Sequence, residues 1–215
     1  MALTYPLQMP TEYMQKTDFQ LVDVVSVNRL RGGKALGTIM APFYWAASMT
    51  TEKLTVRDHG RWDAFFDGLR GGTKSCLLYD TARIVPKSYT VNTTMSRAGG
   101  GAFDWTAPVT NFTDPRTVTM TTLPASFQLL CGDYVSFVKA GKYSLHRIVE
   151  DKAANGAGQM TELCFEPSIS DTFLTGSTAN FLRPKGEFIL DGGSINRQRE
   201  DLPVPVSFKA TSRVV

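Results

Sequence analysis

The sequence predicts a mainly β protein, an antiparallel β-barrel or sandwich with one short flanking helix, in a single domain covering residues 1–215. Charged residues make up only 20% of the chain, below the usual ~25%. Short β-branched and aromatic runs recur between Gly, Pro and Asn turns, as is typical of strands. Only one segment has helical periodicity, and strands do not alternate with helices, so a parallel sheet is not expected.

The first two predicted strands form a hairpin. Residues 19–28 (FQLVDVVSVN) and 36–45 (LGTIMAPFYW) are β-branched and aromatic runs. The segment between them, RLRGGK, carries a Gly-Gly turn signal. Two strand patterns separated by such a turn predict a β-hairpin at the start of the fold.

The single helix follows this hairpin. Thr55 and Asp58 form a capping-box pattern at its start. Gly60 costs up to ~1 kcal/mol relative to Ala, so the regular helix is expected to begin near Gly60. Four apolar residues at spacing i, i+3, i+4 and i+7 predict one face that packs against the sheet: Trp62, Phe65, Phe66 and Leu69. Gly71 and Gly72 are predicted to end the helix.

The stretch GLRGGTKS, residues 68–75, differs by one residue from a phosphate-binding loop. A phosphate loop requires the order strand, loop, helix, because the phosphate binds the free amides at a helix N-terminus. Here the helix comes first and the predicted strand KSCLLYD follows. We therefore interpret Gly71 and Gly72 as a C-terminal helix cap, and expect no nucleotide site at Lys74.

Residues 91–120 differ in composition from the rest of the chain. They are rich in Thr, Gly, Asn and Pro, with three consecutive glycines at 99–101. This predicts a long loop or hairpin arm carrying Phe103 and Trp105, which are candidate contacts with another subunit. A loop folded back on its own domain is the alternative.

From residue 117 onward, short strands form a predicted antiparallel meander. In KYSLHRIVE, alternation places Tyr143, Leu145, Arg147 and Val149 on one face. Residues 186–215 are predicted to be a C-terminal extension that ends in the strand VPVSFKA. A domain of this kind leaves strand edges open, so either the 91–120 arm or the last strand is expected to pack on a neighbouring copy.

Composition and motifs exclude several functions. A net charge of +3 without Lys/Arg clusters does not indicate a nucleic-acid surface. Three separated cysteines are expected to be reduced core residues, and no membrane span or signal peptide is recognised, so assembly in a cytoplasm is expected. His59 and His146 are each predicted to be surface or half-buried residues. We therefore expect no enzyme, no metal and no cofactor.

Three stretches resemble distal tail proteins of long-tailed bacteriophages. They are WDAFFDGLRGG (62–72), LLCGDYVSF (129–137) and NGAGQMTELCFEPSI (155–169). The similarity covers roughly residues 50–90 and 128–170.

This resemblance implies a tail-tube-like β fold and a virion protein of the tail tip or baseplate. Copies would close into a ring, commonly a hexamer, joining the tail tube to the tip and leaving a lumen for DNA. Other tail proteins would be its partners. Two alternatives remain at this point: a carbohydrate-binding module using Phe103 and Trp105 as stacking platforms, and a tail-tube or head-to-tail connector subunit.

Overall fold

The computed structural model describes residues 3–29, 31–174, 176–196 and 203–213. Within these ranges the chain is mainly β, which confirms the predicted fold class. It forms a six-stranded sheet, a closed six-stranded barrel and two small two-stranded sheets, together with one short α-helix. No helix in the described ranges has both the length and the apolar character needed to cross a membrane.

The strands, in chain order, are β1 (Leu7–Gln8), β2 (Met14–Val22), β3 (Val25–Arg29), β4 (Ala35–Ile39), β5 (Tyr44–Thr51), β6 (Ser75–Leu78), β7 (Thr106–Asp114), β8 (Thr117–Met120), β9 (Gln128–Leu129), β10 (Tyr134–Lys139), β11 (Lys142–Ile148), β12 (Lys152–Ala153), β13 (Met160–Glu166), β14 (Thr178–Asn180), β15 (Gly186–Leu190) and β16 (Ser207–Ser212). The helix α1 spans Val56–Gly68. The sheet has the strand order β1-β6-β15-β16-β5-β2, and the barrel has the order β10-β11-β13-β8-β7-β14.

The six-stranded sheet has one buried and one open face. Directly paired residues project to the same face of a sheet. The pairs Phe208–Met49, Ala210–Ala47 and Phe19–Ala47 therefore share a face, and all of these residues are buried. On β2, β5 and β16 the alternate positions face outward and are mainly polar; they include Asp18, Gln20, Ser48, Lys209 and Thr211. On β6 and β15 the alternate positions Ser75, Leu77 and Glu187 are buried.

Helix α1 packs on the buried face of this sheet. Thr55 is its N-cap and accepts a hydrogen bond from the Asp58 amide, so the helix begins at Val56 and not near Gly60. No atom outside the helix lies near a Cβ built on Gly60, so this glycine is accommodated on the open side of the helix. The four residues Trp62, Phe65, Phe66 and Leu69 are at most 4% exposed. The rings of Trp62 and Phe66 lie 5.8 and 5.3 Å from that of Phe208 on β16.

The helix ends at the predicted glycines. Leu69 is the C-cap, and Gly71 and Gly72 have φ values of 66° and 90°. A Cβ on Gly72 would lie 2.4 Å from the carbonyl oxygen of Leu190, so only glycine fits there. Strand β6 follows directly. The GLRGGTKS stretch thus lies at a helix C-terminus, which has the polarity opposite to that of a phosphate loop.

The barrel packs against the same buried face of the sheet. The indole Nε1 of Trp45 on β5 donates to the carbonyl oxygen of Leu145 on β11, at 2.7 Å. Arg147 on β11 lies 4.8 Å from the Trp45 ring and donates to the carbonyl oxygen of Phe19. As predicted, Tyr143, Leu145 and Arg147 lie on one face of their strand, and this is the face turned to the sheet. Val149, the fourth residue predicted on this face, follows the end of β11 and is 45% exposed.

Two segments differ from the prediction. Of the predicted arm, residues 106–114 and 117–120 are barrel strands β7 and β8. Of the predicted C-terminal extension, β15 and β16 are central strands of the sheet, between β6 and β5. The VPVSFKA segment therefore pairs within its own chain. Residues 197–202 and 214–215 of that extension lie outside the described ranges.

Candidate functional site

The most exposed regular element is the β3–β4 hairpin. It continues the β2–β5 pair, since only two residues separate β2 from β3, yet it forms a separate two-stranded sheet. Gly33 in its turn has a φ of 79°, a conformation that glycine adopts without strain. The turn predicted between the first two strands is therefore present, but each predicted strand is divided in two.

The hairpin has one apolar and one mainly polar face. The pairs Val25–Ile39 and Val27–Gly37 project to the same side. A Cβ on Gly37 would lie 3.6 Å from Val25 Cγ1, so the valine extends across the glycine. The opposite side carries the pair Ser26–Thr38 together with Asn28 and Leu36. We call the first side the apolar hairpin face.

The apolar hairpin face has no cover within the described part of the chain. Val27 is 62% exposed, Ile39 57% and Val25 41%. The described ranges contain eleven large hydrophobic residues that are exposed, and five of them lie between residues 25 and 40. These five are Val25, Val27 and Ile39, together with Leu36 and Met40. Such clustering is typical of a contact surface, whereas single exposed apolar residues need no explanation.

The tip of the hairpin is basic. Arg29, Arg31 and Lys34 lie at or next to the turn, and the sequence contains no acidic residue between Asp23 and Glu52. The surface that receives this tip is therefore expected to be neutral or acidic, because like charges across a contact are unfavourable.

Strand β2, which leads into the hairpin, is an open edge of the six-stranded sheet. It spans nine residues and pairs only with β5 among the described strands. The opposite edge is β1, a strand of two residues. Long open edges are uncommon in soluble proteins because their unpaired amides and carbonyls pair readily with other chains.

Phe103 and Trp105, the predicted subunit contacts, are not at the surface. They are 8% and 7% exposed and belong to the barrel core. Their rings lie 5.3 and 6.5 Å from that of Phe127. The alternative prediction, a loop folded back on its own domain, is the one observed, because both aromatic side chains pack in the core of their own barrel. Neither residue can serve as a carbohydrate-stacking platform in this conformation.

Both histidines are buried, contrary to the prediction. His59 is 2% exposed and lies 3.2 Å from Asp63. His146 projects into the barrel, where its Nδ1 donates to the carbonyl oxygen of Pro167 and its Nε2 accepts from Ser144 Oγ, each at 2.7 Å. The carbonyl fixes this tautomer, since a carbonyl oxygen only accepts.

The Ser144–His146 pair has the spacing of a nucleophile and its base. Burial, however, lowers the pKa of His146 to about 4. The partner of Nδ1 is a neutral carbonyl, so an imidazolium formed by proton transfer would be buried without a carboxylate to stabilise it. This environment favours a structural hydrogen-bonded pair over a catalytic one.

Where the structure describes them, the cysteines and acidic residues form no recognisable site. Cys76 is buried, and burial, aided by nearby Glu187, raises the pKa of its thiol to about 12. Cys131 is exposed, which differs from the predicted core position. Over the described ranges, no group of three or more His, Cys, Asp or Glu residues has metal-binding geometry.

Comparison with known proteins assigns no family. No protein-family model matches this chain, and no curated protein does. Function must therefore be inferred from the surfaces described above, of which the apolar hairpin face and the adjoining open edge are the most distinctive.

Proposed function

We propose that this protein is a structural subunit that binds copies of itself head-to-tail and closes into a ring at the distal end of a bacteriophage tail. The ring, commonly of six copies in such proteins, joins the tail tube to the tip or baseplate and leaves a lumen for DNA. The subunit is not an enzyme, is assembled in the host cytoplasm and resides in the virion. The observation that carries the proposal is the uncovered apolar hairpin face next to an open strand edge.

The hairpin needs a partner for physical reasons. A two-stranded hairpin is at best marginally stable alone in water. Val25, Val27 and Ile39 each contribute ~1.5–3 kcal/mol when fully buried, and only part of this is gained in the isolated chain, where they are 41–62% exposed. A second copy would bury them without displacing the core, because all three side chains are already at the surface.

The position of the hairpin favours a head-to-tail contact. The long open edge β2 and the hairpin lie on one side of the sheet, and the short edge β1 lies on the other. If the hairpin side of one copy binds a different side of the next copy, the subunit at one end of an open assembly still has a free hairpin that can bind another copy. Such heterologous contacts generate rings when the rotation closes.

The open face of the sheet suits the wall of a lumen. It is polar and carries charges of both signs, Asp18 and Lys209 among them. A mixed surface stays hydrated and does not hold a passing polyanion tightly, whereas a purely basic wall would.

The bacteriophage assignment depends on the resemblance of three stretches, and the structure gives each of them a local role. WDAFFDGLRGG forms the end of α1 with its glycine cap, LLCGDYVSF leads into β10, and NGAGQMTELCFEPSI contains β13. A tail-tube or connector subunit would form a similar ring and would differ in its neighbours along the tail.

The assembly is tested by light scattering coupled to size-exclusion chromatography and by electron microscopy. We expect the parent protein to form rings at high concentration, and Val27→Asp and Ile39→Asp to be monomers, because each places a charge in the buried contact. Ser26→Asp and Thr38→Asp add the same charge to the opposite face of the same hairpin and are the matched controls.

The two faces make the outcome decisive. A parent protein that stays monomeric at every concentration contradicts the self-assembly proposal. If rings persist in Val27→Asp and Ile39→Asp, the contact lies elsewhere on the subunit. If all four variants lose the rings, the added charge controls assembly and the apolar hairpin face does not.

A further inference from the structure

A second surface, independent of the hairpin, is a basic cavity beside the N-terminal segment. It encloses about 540 Å³ between residues 8–12, helix α1 and the segment that precedes β15. Its charged and polar lining consists mainly of Gln8, Glu12, Arg61, Tyr79, Arg183 and Lys185. We call it the basic cavity.

Positive charge is in excess in the basic cavity. Glu12 is occupied by an ion pair with Arg61. Arg183 and Lys185 form no ion pair with any carboxylate of the described residues. Burial lowers the pKa of Lys185, and the neighbouring charge of Arg183 lowers it further. The fold thus holds two cations close together at a cost that a bound anion would offset.

Several hydrogen-bond donors in the cavity are also unused. Lys185 Nζ donates to Gln8 Oε1 at 2.8 Å, which leaves further ammonium hydrogens available. The guanidinium of Arg183 and the hydroxyl of Tyr79 have no hydrogen-bond partner among the described residues. Tyr79 is only 3% exposed, so its ring is fixed by the surrounding core while it lines the cavity.

The backbone of Arg183 is anchored beside Lys185, while its side chain is exposed. Its φ is 47°, in the left-handed region that non-glycine residues seldom adopt. Its amide donates to the carbonyl oxygen of Ile84 at 2.7 Å. Residues held in such conformations cluster at binding sites, and here the conformation positions one cation beside another.

We propose that the basic cavity binds a phosphate-type oxyanion through Arg183, Lys185 and Tyr79. A tetrahedral oxyanion presents acceptors in several directions and can carry two negative charges, which matches two unpaired cations on one segment and a phenol donor on another. A carboxylate has one charge and two oxygens in a plane, so it would leave part of this set unused.

The test is calorimetric titration of the folded protein with inorganic phosphate, with sodium acetate and sodium chloride as comparison ligands at equal ionic strength. We expect one phosphate per chain with a dissociation constant of about 1 mM or tighter, and weaker binding of acetate. Arg183→Gln and Lys185→Gln should each weaken binding about tenfold or more, as expected for loss of one charge-assisted hydrogen bond. Tyr79→Phe should weaken it less.

Lys142→Gln is the matched control, because it removes the same charge from an exposed position on the barrel. Equal affinity for phosphate in Lys185→Gln and Lys142→Gln overturns the proposal, as does binding of acetate as tight as that of phosphate or the absence of phosphate binding in the parent. Circular dichroism of each variant checks folding, and Tyr79→Phe retains the buried ring if a cationic variant does not fold.

A second arm identifies the source of the phosphate. A short oligothymidylate that competes with inorganic phosphate in the parent and not in Lys185→Gln assigns the site to a nucleic-acid backbone, whereas inorganic phosphate without such competition assigns it to a free ion. Both results support an oxyanion site. Val27→Asp should bind phosphate as the parent does, so failure of this proposal and failure of the ring proposal are separate results.

Discussion

The loop 91–105 and the hairpin 25–39 both lie outside the large sheet and the barrel, and they differ in opposite ways. The loop 91–105 has almost no regular structure but is firmly attached: the Ala98 amide donates to Leu123 O, Arg97 Nη1 donates to Thr122 O, and Trp105 is buried. In the hairpin, strands β3 and β4 pair along all five of their residues, but the apolar face is exposed.

The comparison shows that a segment with a regular backbone can leave its apolar side chains exposed, and that an irregular segment can bury them. The loop is held by side chains that pack in the barrel core, as Phe103 and Trp105 do against the Phe127 ring. The hairpin has a regular pair of strands, but its β-branched side chains Val25, Val27 and Ile39 stay at least 41% exposed. A regular element whose apolar side remains uncovered is a better candidate for a partner contact than an irregular one that is packed.

The largest effect is expected from truncating the loop aromatic. Trp105→Ala should lower the free energy of unfolding by ~3–5 kcal/mol, because it opens a cavity against Tyr89, Phe103 and Phe127. Val27→Ala in the hairpin should change it by less than ~0.5 kcal/mol in the monomer. Urea denaturation at a concentration where no assembly forms measures both. Similar losses for the two variants would contradict the distinction between a packed loop and an uncovered hairpin.

The next effect is pH dependence of the barrel core that holds the loop. Because burial lowers the pKa of His146 to about 4 from a usual ~6.5, the unfolded chain binds more protons between these values. The free energy of unfolding therefore has its full value above pH 6.5, and it falls by about 3 kcal/mol in total as the pH decreases toward 4.

His146→Gln is the control for this pH effect. Its amide can donate to Pro167 O and accept from Ser144 Oγ, the two partners of the histidine, but it does not titrate. The difference in unfolding free energy between parent and variant should shrink from pH 7 to pH 4.5. A difference that stays constant over this range would show that His146 does not titrate on unfolding.

Two glycines with positive φ extend the comparison. Gly158 lies under the loop, where a Cβ would come within 2.1 Å of Leu123 O and 2.9 Å of Ala98 Cβ. Gly33 lies in the hairpin turn, with no atom within 4 Å of such a Cβ. Gly158→Ala should cost ~1–3 kcal/mol for overpacking in addition to the ~1–2 kcal/mol of left-handed strain that both substitutions share. Thermal denaturation of the two variants should show this order, and an equal loss would mean that both Leu123 and Ala98 move away without cost.

Local patterns predicted the parts of the fold that depend on neighbouring residues. The stripe that begins at Trp62, the cap at Thr55 and the glycine end at Gly72 are all local in sequence, and so is the alternation in β11. The main local error is the helix start, because the cost of Gly60 is too small to oppose a good N-cap.

The remaining errors concern contacts between distant residues. Burial of Trp105 depends on Phe127, and β16 enters the sheet centre because it pairs with β5, more than 150 residues away in the chain. The Gly-Gly turn was found, but alternation in the hairpin does not say whether its apolar face is covered. The lining of the basic cavity comes from four separate segments, residues 8–12, Arg61, Tyr79 and residues 183–185, so no local pattern contained it.

The smallest effect on stability is expected from cutting the hairpin with trypsin. Arg29, Arg31 and Lys34 are basic residues at its exposed tip, whereas Arg97 in the loop is engaged by Asp104 and by the carbonyl oxygen of Thr122. In the monomer, cleavage in the hairpin should precede cleavage at Arg97, and the nicked protein should unfold within ~0.5 kcal/mol of the intact one, because no core residue is lost.

In the assembled ring, the hairpin should no longer be cut as fast as it is in the monomer; it should be protected from trypsin. If the apolar hairpin face lies against a neighbouring copy, the three tip sites are cut more slowly in the ring than in Val27→Asp at the same protease concentration, while the rate at Arg97 stays the same, because its environment belongs to one chain. Mass spectrometry of the fragments identifies each site. Equal rates of hairpin cleavage in ring and monomer would leave the hairpin outside the contact, and cleavage at Arg97 first would show that the loop opens more readily than its contacts with the barrel indicate.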